Sequence, residues 1–397
     1  MSSTITVKPL PSLDSTLSNN KDHHIGNPPN SFQNPWPSYI KIGPLSAFQH
    51  RFGSHPEKKF VPVPQGPNGT RSPELVKIRR PDWAQGSSNT QPTEDKLKAT
   101  WLGHASFLLE LPVQPGATRG IRILCDPVFS ERTSPVSFLG PKRYTPPPCT
   151  LDELPEVDIV AISHDHYDHL DLAAVQQIYH KRKGQVHFLA GLNNKAWFLQ
   201  NLGCEADEVT DADWWDAFEV DVEKLGQVRV TVCPSQHGSG RSALNMGHTL
   251  WCSFAFCGAG KSVYFAGDTA YQAENTPSPC PIFKEIGQSL GPFDLALLPI
   301  GLMTPASFMG SVHATPEQSL RIHEEVGSWL SIGMHYGTVR GGISGQYEDV
   351  RAPPRRWREA AEKEGVWCGG GVEGDGEAVD VSTKGVGLCD VGETVVV

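Results

Sequence analysis

The chain has 397 residues, with 34 basic and 44 acidic side chains and a formal net charge of −10. This acidic balance argues against a protein that binds nucleic acid over a broad basic surface. Its nine cysteines, an odd number without a C-x-x-C pair, are not typical of a disulfide framework and indicate reduced thiols.

The first 98 residues differ in composition from the rest of the chain. Residues 1–31 are polar and predict a disordered tail. Residues 32–63 are rich in aromatic and aliphatic side chains, whereas residues 64–98 are rich in Pro, Gly and Ser, which is typical of a linker. There is no basic-then-apolar leader and no apolar run long enough to cross a bilayer. We therefore expect a cytoplasmic protein or one bound peripherally to an intracellular membrane, with mitochondrial association left open.

Within the apolar segment, Pro44 to Phe52 predicts a short helix with proline in its first turn. Leu45, Phe48 and Phe52 would share one face of this helix.

From Ala99 onward the pattern changes to strands interleaved with helices. A helix is predicted over 171–183, and a second one begins at Thr315, where Pro316 and Gln318 complete an N-terminal capping pattern. Two strand-rich halves with helices between them predict two packed sheets covered by helices. Strands are predicted over 100–111, 121–129, 157–163, 186–190, 228–234, 250–256, 263–267, 294–300 and 329–334.

A cluster of histidine and carboxylate side chains follows the strand predicted over 157–163. His164, His166 and His169 lie within six residues of one another, together with Asp168. Imidazole and carboxylate without thiolate suit a borderline divalent cation such as zinc. One ion does not need four ligands packed this tightly, so the spacing predicts two metals. The alternative is a solvated turn that happens to be rich in histidine.

Three further predicted strands each end within three residues of a residue type that binds metal. These residues are His237, Asp268 and His335. Each of them alone is more often a hydrogen-bonded turn residue. Metal ligands often come from several loops at one edge of a sandwich. The cluster over residues 164–169 and these three residues together therefore predict one metal centre.

The chain resembles the metallo-β-lactamase fold family over roughly residues 99–368. The supporting stretches are T-W-L-G-H-A-S from Thr100, D-P-V-F-S from Asp126, S-H-D-H-Y-D-H-L-D from Ser163, F-A-G-D-T from Phe265, L-P-I-G from Leu298 and M-H-Y-G-T from Met334. Within the family, the first two stretches and G-P-K-R-Y from Gly140 are similar to the phospholipases D that hydrolyse N-acyl-phosphatidylethanolamine. The resemblance implies an α+β fold, an αββα sandwich of two mixed sheets packed face to face with helices outside, over residues 99–397.

The resemblance also implies a centre with two zinc ions. The expected ligands are His164, His166 and His237 for the first ion, Asp168, His169 and His335 for the second, and Asp268 as a bridge between both. The implied activity is hydrolysis of N-acyl-phosphatidylethanolamine to N-acylethanolamine and phosphatidic acid through a metal-bridging hydroxide. The intact His166 favours zinc over iron, since many iron-binding relatives have glutamate there.

Three other polar residues have expected roles near this centre. His313 matches a family histidine near the scissile bond and would donate a hydrogen bond or proton to a phosphoryl oxygen. The alternative is a surface residue that caps the following helix. We interpret His104 as structural, ordering the turn after the first strand of the domain, and Asp126 as a carboxylate that supports a ligand or a turn.

Some alternatives stay open at this point. Gly238 and Pro305-Ala306-Ser307 depart from the family's usual Trp and Pro-Arg-Trp in loops expected to wall the pocket, so headgroup and acyl preference are not fixed. A related dinuclear hydrolase acting on a lactone, thioester or other phosphodiester is the nearest alternative. The acidic chain and the lack of a basic arm disfavour a tRNA-processing enzyme. A non-enzymatic binding scaffold would be expected to lack some of the metal ligands, and all seven are present. Residues 369–387, glycine-rich and acidic, look like an insertion.

A two-tailed phospholipid would meet the enzyme at a bilayer surface. Residues 32–63 combine aromatic and aliphatic side chains with Arg51, Lys58 and Lys59, which predicts peripheral docking on a membrane. The alternative is that these apolar residues pack on the outer helices of the domain. We expect a phospholipid substrate and no nucleic-acid partner, and a homodimer is left open.

Overall fold

The computed structural model describes residues 4–11, 19–83, 93–371 and 378–397. Two β-sheets of eight and seven strands pack together, and helices cover them on the outside. The predicted αββα sandwich is confirmed.

The described residues form seventeen strands. In chain order these are β1 (Ile5–Leu10), β2 (His24–Ile25), β3 (Ser31–Phe32), β4 (Lys98–Gly103), β5 (Ser106–Glu110), β6 (Arg122–Cys125), β7 (Ile159–Ile162), β8 (His187–Gly191), β9 (Val209–Ala212), β10 (Ala217–Val222), β11 (Gly226–Cys233), β12 (Ser253–Gly258), β13 (Lys261–Phe265), β14 (Phe293–Pro299), β15 (Ser328–Met334), β16 (Gly385–Gly387) and β17 (Thr394–Val396).

Seven α-helices and three short 3-10 helices complete the described part of the fold. The α-helices are α1 (Pro44–Phe52), α2 (Leu172–Arg182), α3 (Lys195–Leu202), α4 (Ile282–Leu290), α5 (Ala306–Met309), α6 (Pro316–Val326) and α7 (Ala352–Glu364), and the 3-10 helices are Pro67–Gly69, Ala206–Glu208 and Ser344–Gln346. None of these helices is long and apolar enough to cross a membrane.

Each sheet has an antiparallel half and a parallel half. The larger sheet has the order β1-β10-β11-β12-β13-β14-β15-β16, and its pairs from β13 onward are parallel. The smaller sheet has the order β17-β4-β5-β6-β7-β8-β9, and its pairs from β6 onward are parallel. Since β12 is antiparallel to both of its neighbours, β11 runs in the same direction as β13, β14 and β15. By the same reasoning, β4 runs in the same direction as β6 and β7.

The core lies between the two sheets and is built from large, fully buried side chains. Trp101 and Phe107 from the smaller sheet belong to the same apolar cluster as Phe254, Phe256 and Phe265 from the larger one. A second cluster lies on the outer side of the smaller sheet, where Val175, Ile178 and Tyr179 of α2 pack on its strands. Burial of this much apolar surface is the main force that holds the sandwich together.

Capping side chains define where the two predicted helices of the domain begin. Asp171 accepts hydrogen bonds from the backbone N–H groups of Ala173 and Ala174 at the start of α2. At the start of α6, Thr315 and Gln318 form the reciprocal capping box that the sequence predicts. The starts of both helices and the end of α2 therefore agree with the prediction to within one residue.

The predicted strand over 100–111 is instead a hairpin of β4 and β5. The chain turns at Gly103 and His104, which have φ values of +98° and +54°. This left-handed conformation cannot continue a strand. The turn is what brings His104 to the edge of the sheet.

The predicted disorder of residues 1–31 is wrong for the part that the structure describes. Ile5–Leu10 pairs antiparallel with β10 and forms an edge of the larger sheet, with Ile5 buried in the core. Residues 24–25 and 31–32 form a small hairpin. Low apolar content hides these elements because a short edge strand buries few side chains. Residues 1–3 and 12–18 lie outside the described residues.

The stretch predicted as an insertion, 369–387, ends inside the fold. Gly385–Gly387 pairs in parallel with β15 and is therefore the last strand of the larger sheet. Residues 372–377 lie outside the described part of the chain.

Candidate metal centre

The site lies at one edge of the sandwich, where strands that run in the same direction reach their carboxyl ends. In the smaller sheet, His104, Asp126 and the 164–169 loop follow β4, β6 and β7. In the larger sheet, His237, Asp268 and His335 follow β11, β13 and β15. The two sheets thus present polar loops to each other at a common edge. All seven predicted ligands are brought together there.

The first group of nitrogen atoms comes from His164, His166 and His237. His164 Nε2 lies 2.9 Å from His166 Nδ1, and His237 Nε2 lies 3.3 Å from the same atom. One nitrogen from each of the three residues lies within 4.8 Å of the other two. This is the set that the family resemblance implies for the first ion.

The second group combines two histidines with two carboxylates. His169 Nε2 lies 3.1 Å from His335 Nε2 and 3.1 Å from Asp268 Oδ2. His335 Nε2 lies 3.0 Å from Asp268 Oδ1 and 4.0 Å from Asp168 Oδ2. Asp268 Oδ2 also lies 3.9 Å from His164 Nε2 and 3.7 Å from His237 Nε2. Asp268 therefore stands between the two groups, as expected for a bridging carboxylate.

Asp126 orients two of these histidines from behind. Its Oδ2 accepts a hydrogen bond from His169 Nδ1 at 2.6 Å and another from Ser163 Oγ at 2.5 Å. Because the Ser163 hydroxyl proton is used in that bond, Ser163 Oγ accepts from His164 Nδ1 at 2.9 Å. Both imidazoles therefore carry their proton on Nδ1 and direct the Nε2 lone pair into the site. Burial raises the pKa of Asp126, and the neighbouring His169 opposes that shift.

His237 is oriented in the same way by a backbone carbonyl. Its Nδ1 donates to Val312 O at 2.7 Å, which leaves Nε2 as an acceptor. A carbonyl can only accept, so the tautomer is fixed. Val312 directly precedes His313, and the ligand loop after β11 is thereby tied to the loop that leads into α6.

Two loops of the site approach each other so closely that one position requires glycine. A Cβ on Gly267 would lie 2.5 Å from the Cβ of Ser163. Gly267 precedes Asp268, and Ser163 precedes His164, so this contact joins the ligand loops of the two sheets. Three non-glycine residues of the site, His104, Asp126 and His335, also have positive φ. Such strained backbone is typical of sites whose surroundings dictate their geometry.

His104 contacts a candidate ligand in addition to ordering the turn after β4. Its Nε2 lies 3.0 Å from Asp168 Oδ2, and its ring centroid lies 4.1 Å from that of His335. The backbone carbonyl of His104 accepts from the N–H of His335, so it also orders the turn as predicted. Burial raises the pKa of Asp168, but the hydrogen bond from His104 and the surrounding imidazoles lower it well below its usual range.

His313 is buried in the site and does not cap a helix. The cap of α6 is made by Thr315 and Gln318, whereas the His313 ring stacks on His335 at a centroid distance of 5.3 Å. His313 Nδ1 lies 3.9 Å from Asp268 Oδ2 and has no hydrogen-bond partner. The capping alternative is therefore wrong. Burial lowers the pKa of His313 to about 4, although Asp268 opposes that shift.

Two supporting residues far away in sequence are missed by the sequence analysis. Asn34 Nδ2 donates to the backbone carbonyl of His237 at 2.7 Å. The buried Glu348 accepts from the backbone N–H groups of 302–304 at 3.0, 2.7 and 3.2 Å. No local pattern marks either residue, because each acts on a loop more than forty residues away.

The donor set fits metal ions better than it fits hydrogen bonding alone. His164 Nε2 and His237 Nε2 both direct lone pairs toward His166, so protons cannot satisfy all of these nitrogens at once. Buried polar atoms without a partner are costly. Asp268 Oδ1, which lies 3.0 Å from His335 Nε2, and His313 Nδ1 are buried in the site without a hydrogen-bond partner. Imidazole and carboxylate groups at this density can bind divalent cations and use them to activate water.

Comparison with known proteins gives a family match. The family described as "Beta-lactamase superfamily domain" matches residues 121–336, which is more than half of the chain. This range includes the seven candidate ligands, His313 and Asp126.

Two curated relatives carry related names. N-acyl-phosphatidylethanolamine-hydrolyzing phospholipase D 1 of Caenorhabditis elegans is 38% identical over 274 residues, which cover 68% of this chain and 72% of the relative. The mitochondrial N-acyl-phosphatidylethanolamine-hydrolyzing phospholipase D of Saccharomyces cerevisiae is 33% identical over 251 residues. That match covers 62% of this chain but only 48% of the yeast protein.

A solved structure agrees at the level of the fold. The crystal structure of a possible metal-dependent hydrolase from Veillonella parvula has a TM-score of 0.52 and 16% identity, and it covers 76% of this chain and 99% of the other. At this identity the likeness extends to the fold alone.

Proposed function

The chain belongs to the beta-lactamase superfamily and is a metal-dependent hydrolase, and from that premise we propose that it is a zinc-dependent phosphodiesterase acting on N-acyl-phosphatidylethanolamine. The products would be N-acylethanolamine and phosphatidic acid. The observation that carries the proposal is the convergence of histidine lone pairs and the Asp268 carboxylate at one sheet edge.

We assign the candidate ligands to two ions. His164, His166 and His237 would hold one zinc ion, and Asp168, His169 and His335 the other, with Asp268 between them. Nitrogen and oxygen donors without thiolate favour zinc among the common divalent metals. His104 lies within reach of the second set but also hydrogen-bonds Asp168, so we assign it to orienting that carboxylate.

Two zinc ions at this place would supply an activated water as nucleophile and positive charge opposite the phosphoryl oxygens. The chain's own residues hold that arrangement rigid: Asp126 fixes the rings of His164 and His169, and the Val312 carbonyl fixes His237. His313, buried beside Asp268, would donate a hydrogen bond to a phosphoryl oxygen. Little covalent chemistry is required of the side chains.

The two relatives named for N-acyl-phosphatidylethanolamine support this substrate class over a lactone or thioester. In this chain Gly238, which has no side chain, directly follows His237, and α5, which includes Ala306 and Ser307, precedes the loop of His313. We therefore propose that this chain acts on lipids with the same class of headgroup as these relatives but differs from them in its preference for acyl chains. The mitochondrial name of the yeast relative favours mitochondrial association among the localisations left open.

The test combines metal analysis with product identification. Purified protein should carry about two zinc ions per chain, and detergent-dispersed N-acyl-phosphatidylethanolamine should yield N-acylethanolamine and phosphatidic acid by mass spectrometry. A panel with a lactone, a thioester and phosphatidylcholine serves as the comparison. Turnover confined to a lactone or thioester, or one tightly bound iron, would overturn the proposal.

A further inference from the structure

Eight large apolar side chains stand out by their exposure, and seven of them lie in three segments that contact loops of the metal centre. Among the described residues of this type, no others are more than half exposed. They are Leu45, Phe48, Phe52, Phe60, Phe138, Leu139, Leu244 and Met246. We propose that three projections from these segments, α1, the 132–142 loop and the 240–247 loop, form one membrane-docking face around the mouth of the site. This inference rests on the proposed lipid substrate.

The first projection, α1, lies on the elements that lead to His313. His50 on its inner face packs against Phe308 of α5, with ring centroids 5.1 Å apart, and its carbonyl accepts from Tyr347 Oη at 2.8 Å. Leu45, on the same helix, is 69% exposed. The apolar face of α1 therefore points away from the domain while the opposite face is anchored to it.

The second projection is the 132–142 loop, which is closed at its base. An isolated bridge joins Arg132 to Lys142, and the Ser134 hydroxyl hydrogen-bonds to backbone within the loop. Just before the loop, the N–H of Ser130 donates to the Asp171 carboxylate at the end of the 164–171 ligand motif. Phe138 at the tip is 79% exposed. An ordered loop that holds large apolar groups in water indicates a surface that something covers.

The third projection is the 240–247 loop, which contacts the 164–171 ligand motif on another side. Arg241 Nη1 donates to the carbonyls of Asp165 and Leu170, and its guanidinium stacks 3.8 Å from the ring of Tyr167. The Asn245 side chain closes the turn by accepting from the N–H groups of Arg241 and Ser242. Leu244 is held at its tip, 90% exposed.

Local charge selects an anionic bilayer as the partner. Residues 40–60 have four basic and one acidic residue, and residues 131–142 have two basic and one acidic residue. Arg143 is buried and Arg241 is bound to backbone carbonyls, so neither is counted. The two segments carry +4 together, so the rest of a chain with net charge −10 carries −14. Basic groups beside apolar tips favour the headgroup region of anionic membranes. Since N-acylation removes the ammonium charge of ethanolamine, the proposed substrate is itself anionic.

The test uses vesicles that contain no substrate, so that binding is measured apart from turnover. Wild-type protein should co-sediment with phosphatidylcholine vesicles containing phosphatidylglycerol and less with phosphatidylcholine alone. Phe138→Glu with Leu139→Glu, and separately Leu244→Glu with Met246→Glu, should each lower the partition coefficient about tenfold or more. The matched control is Trp329→Glu: Trp329 is 45% exposed but starts β15, at the opposite edge from His335, and should bind like wild type.

Folding is monitored by the thermal midpoint and by bound zinc, and Phe138→Ser with Leu139→Ser replaces the first pair should it not fold. Unchanged vesicle binding in both stable pairs would overturn the inference. The inference would also be overturned if the variants lost a dimer in analytical ultracentrifugation but still bound vesicles. The exposed face would then be an interface between two copies of the chain. A protein that binds these vesicles but releases no N-acylethanolamine defeats the proposed function and leaves the docking face standing.

Discussion

Asp268 is the residue through which the two halves of the site depend on each other. Its Oδ1 faces His335, and its Oδ2 faces His169 from the other sheet. It is fully buried, and the imidazoles around it lower its pKa well below the usual range although burial alone would raise it. A buried carboxylate held between imidazoles from both sheets indicates that the site is built for positive charge.

Asp268→Asn should therefore impair both metal sites together. The amide keeps the shape but loses the negative charge that both ions would share, so we expect bound zinc to fall below one ion per chain. Elemental analysis after gel filtration measures this. The matched control is Asp294→Asn, a carboxylate on the same sheet that pairs with Lys261 away from the site. Two retained zinc ions with near-normal turnover would contradict the bridging role.

His313 is assigned a role beside the metals by the family resemblance, although one of its nitrogens lies within 4.8 Å of candidate ligand atoms of His237 and Asp268. His313→Ala should keep bound zinc yet lower turnover about a hundredfold or more, a typical size for a positioned donor. Zinc analysis and turnover on detergent-dispersed substrate are measured together. His180→Ala, an exposed histidine on α2, is the control. Loss of metal would place His313 among the ligands, and unchanged turnover would leave it a packing residue.

At the scale of elements, one buried carboxylate holds the loop that leads to α5 and His313. Glu348 is buried, and its oxygens accept from three successive backbone N–H groups after Gly301. Burial raises its pKa, and these three hydrogen bonds oppose that shift. The carboxylate thus replaces the hydrogen bonds that the irregular loop cannot make to itself.

Glu348→Ala should loosen this loop. Leaving three buried N–H groups unpaired should lower the free energy of unfolding by about 3 kcal/mol, and turnover should fall because His313 is no longer held in place. Urea denaturation and turnover with zinc quantified check both effects. Asp349→Ala, which removes the neighbouring carboxylate that pairs with Arg351, should show neither. Destabilisation without any change in turnover would limit Glu348 to a structural role.

The elements that the sequence predicts correctly are those with a complete local signal. Apolar runs of branched residues mark β7, β11, β13 and β15, and capping residues mark α2 and α6. Elements whose apolar residues alternate with charged ones are not predicted. The sequence of β10 alternates buried Val220 and Val222 with half-buried Glu219 and Asp221, and α7 buries only Pro353, Trp357 and Ala361 among its charges. Their stability comes from tertiary packing, which a single segment does not reveal.

The site was predictable for a different reason. Its candidate ligands each follow a recognisable strand, so their positions at one edge follow from strand direction alone. The supports of the site were not predictable, because Asn34 and Glu348 reach loops that only the finished fold brings near. The contact of His104 with Asp168 was not predictable either, because it forms only when the turn after β4 meets the loop after β7.

At the scale of the whole molecule, the segment over residues 32–63 divides into two parts with different partners. Phe32 is buried, Trp36 stacks on Trp214, and Asn34 supports the carbonyl of His237. The packing alternative therefore describes the first part. The predicted helix over Pro44–Phe52 is present as α1, with its apolar residues exposed to solvent. Docking on a membrane remains a prediction for this second part.

The two parts should respond differently to charge. Leu45→Glu with Phe48→Glu places charges where water already reaches, so the thermal midpoint should stay near that of wild type while vesicle pelleting falls about tenfold or more. Turnover on vesicles should fall more than turnover on detergent-dispersed substrate, because only the former requires docking. Phe32→Glu, in the buried part, should instead lower the thermal midpoint and reduce turnover equally on both substrates. A stable Leu45/Phe48 double variant that still pellets with vesicles would exclude α1 from the docking face.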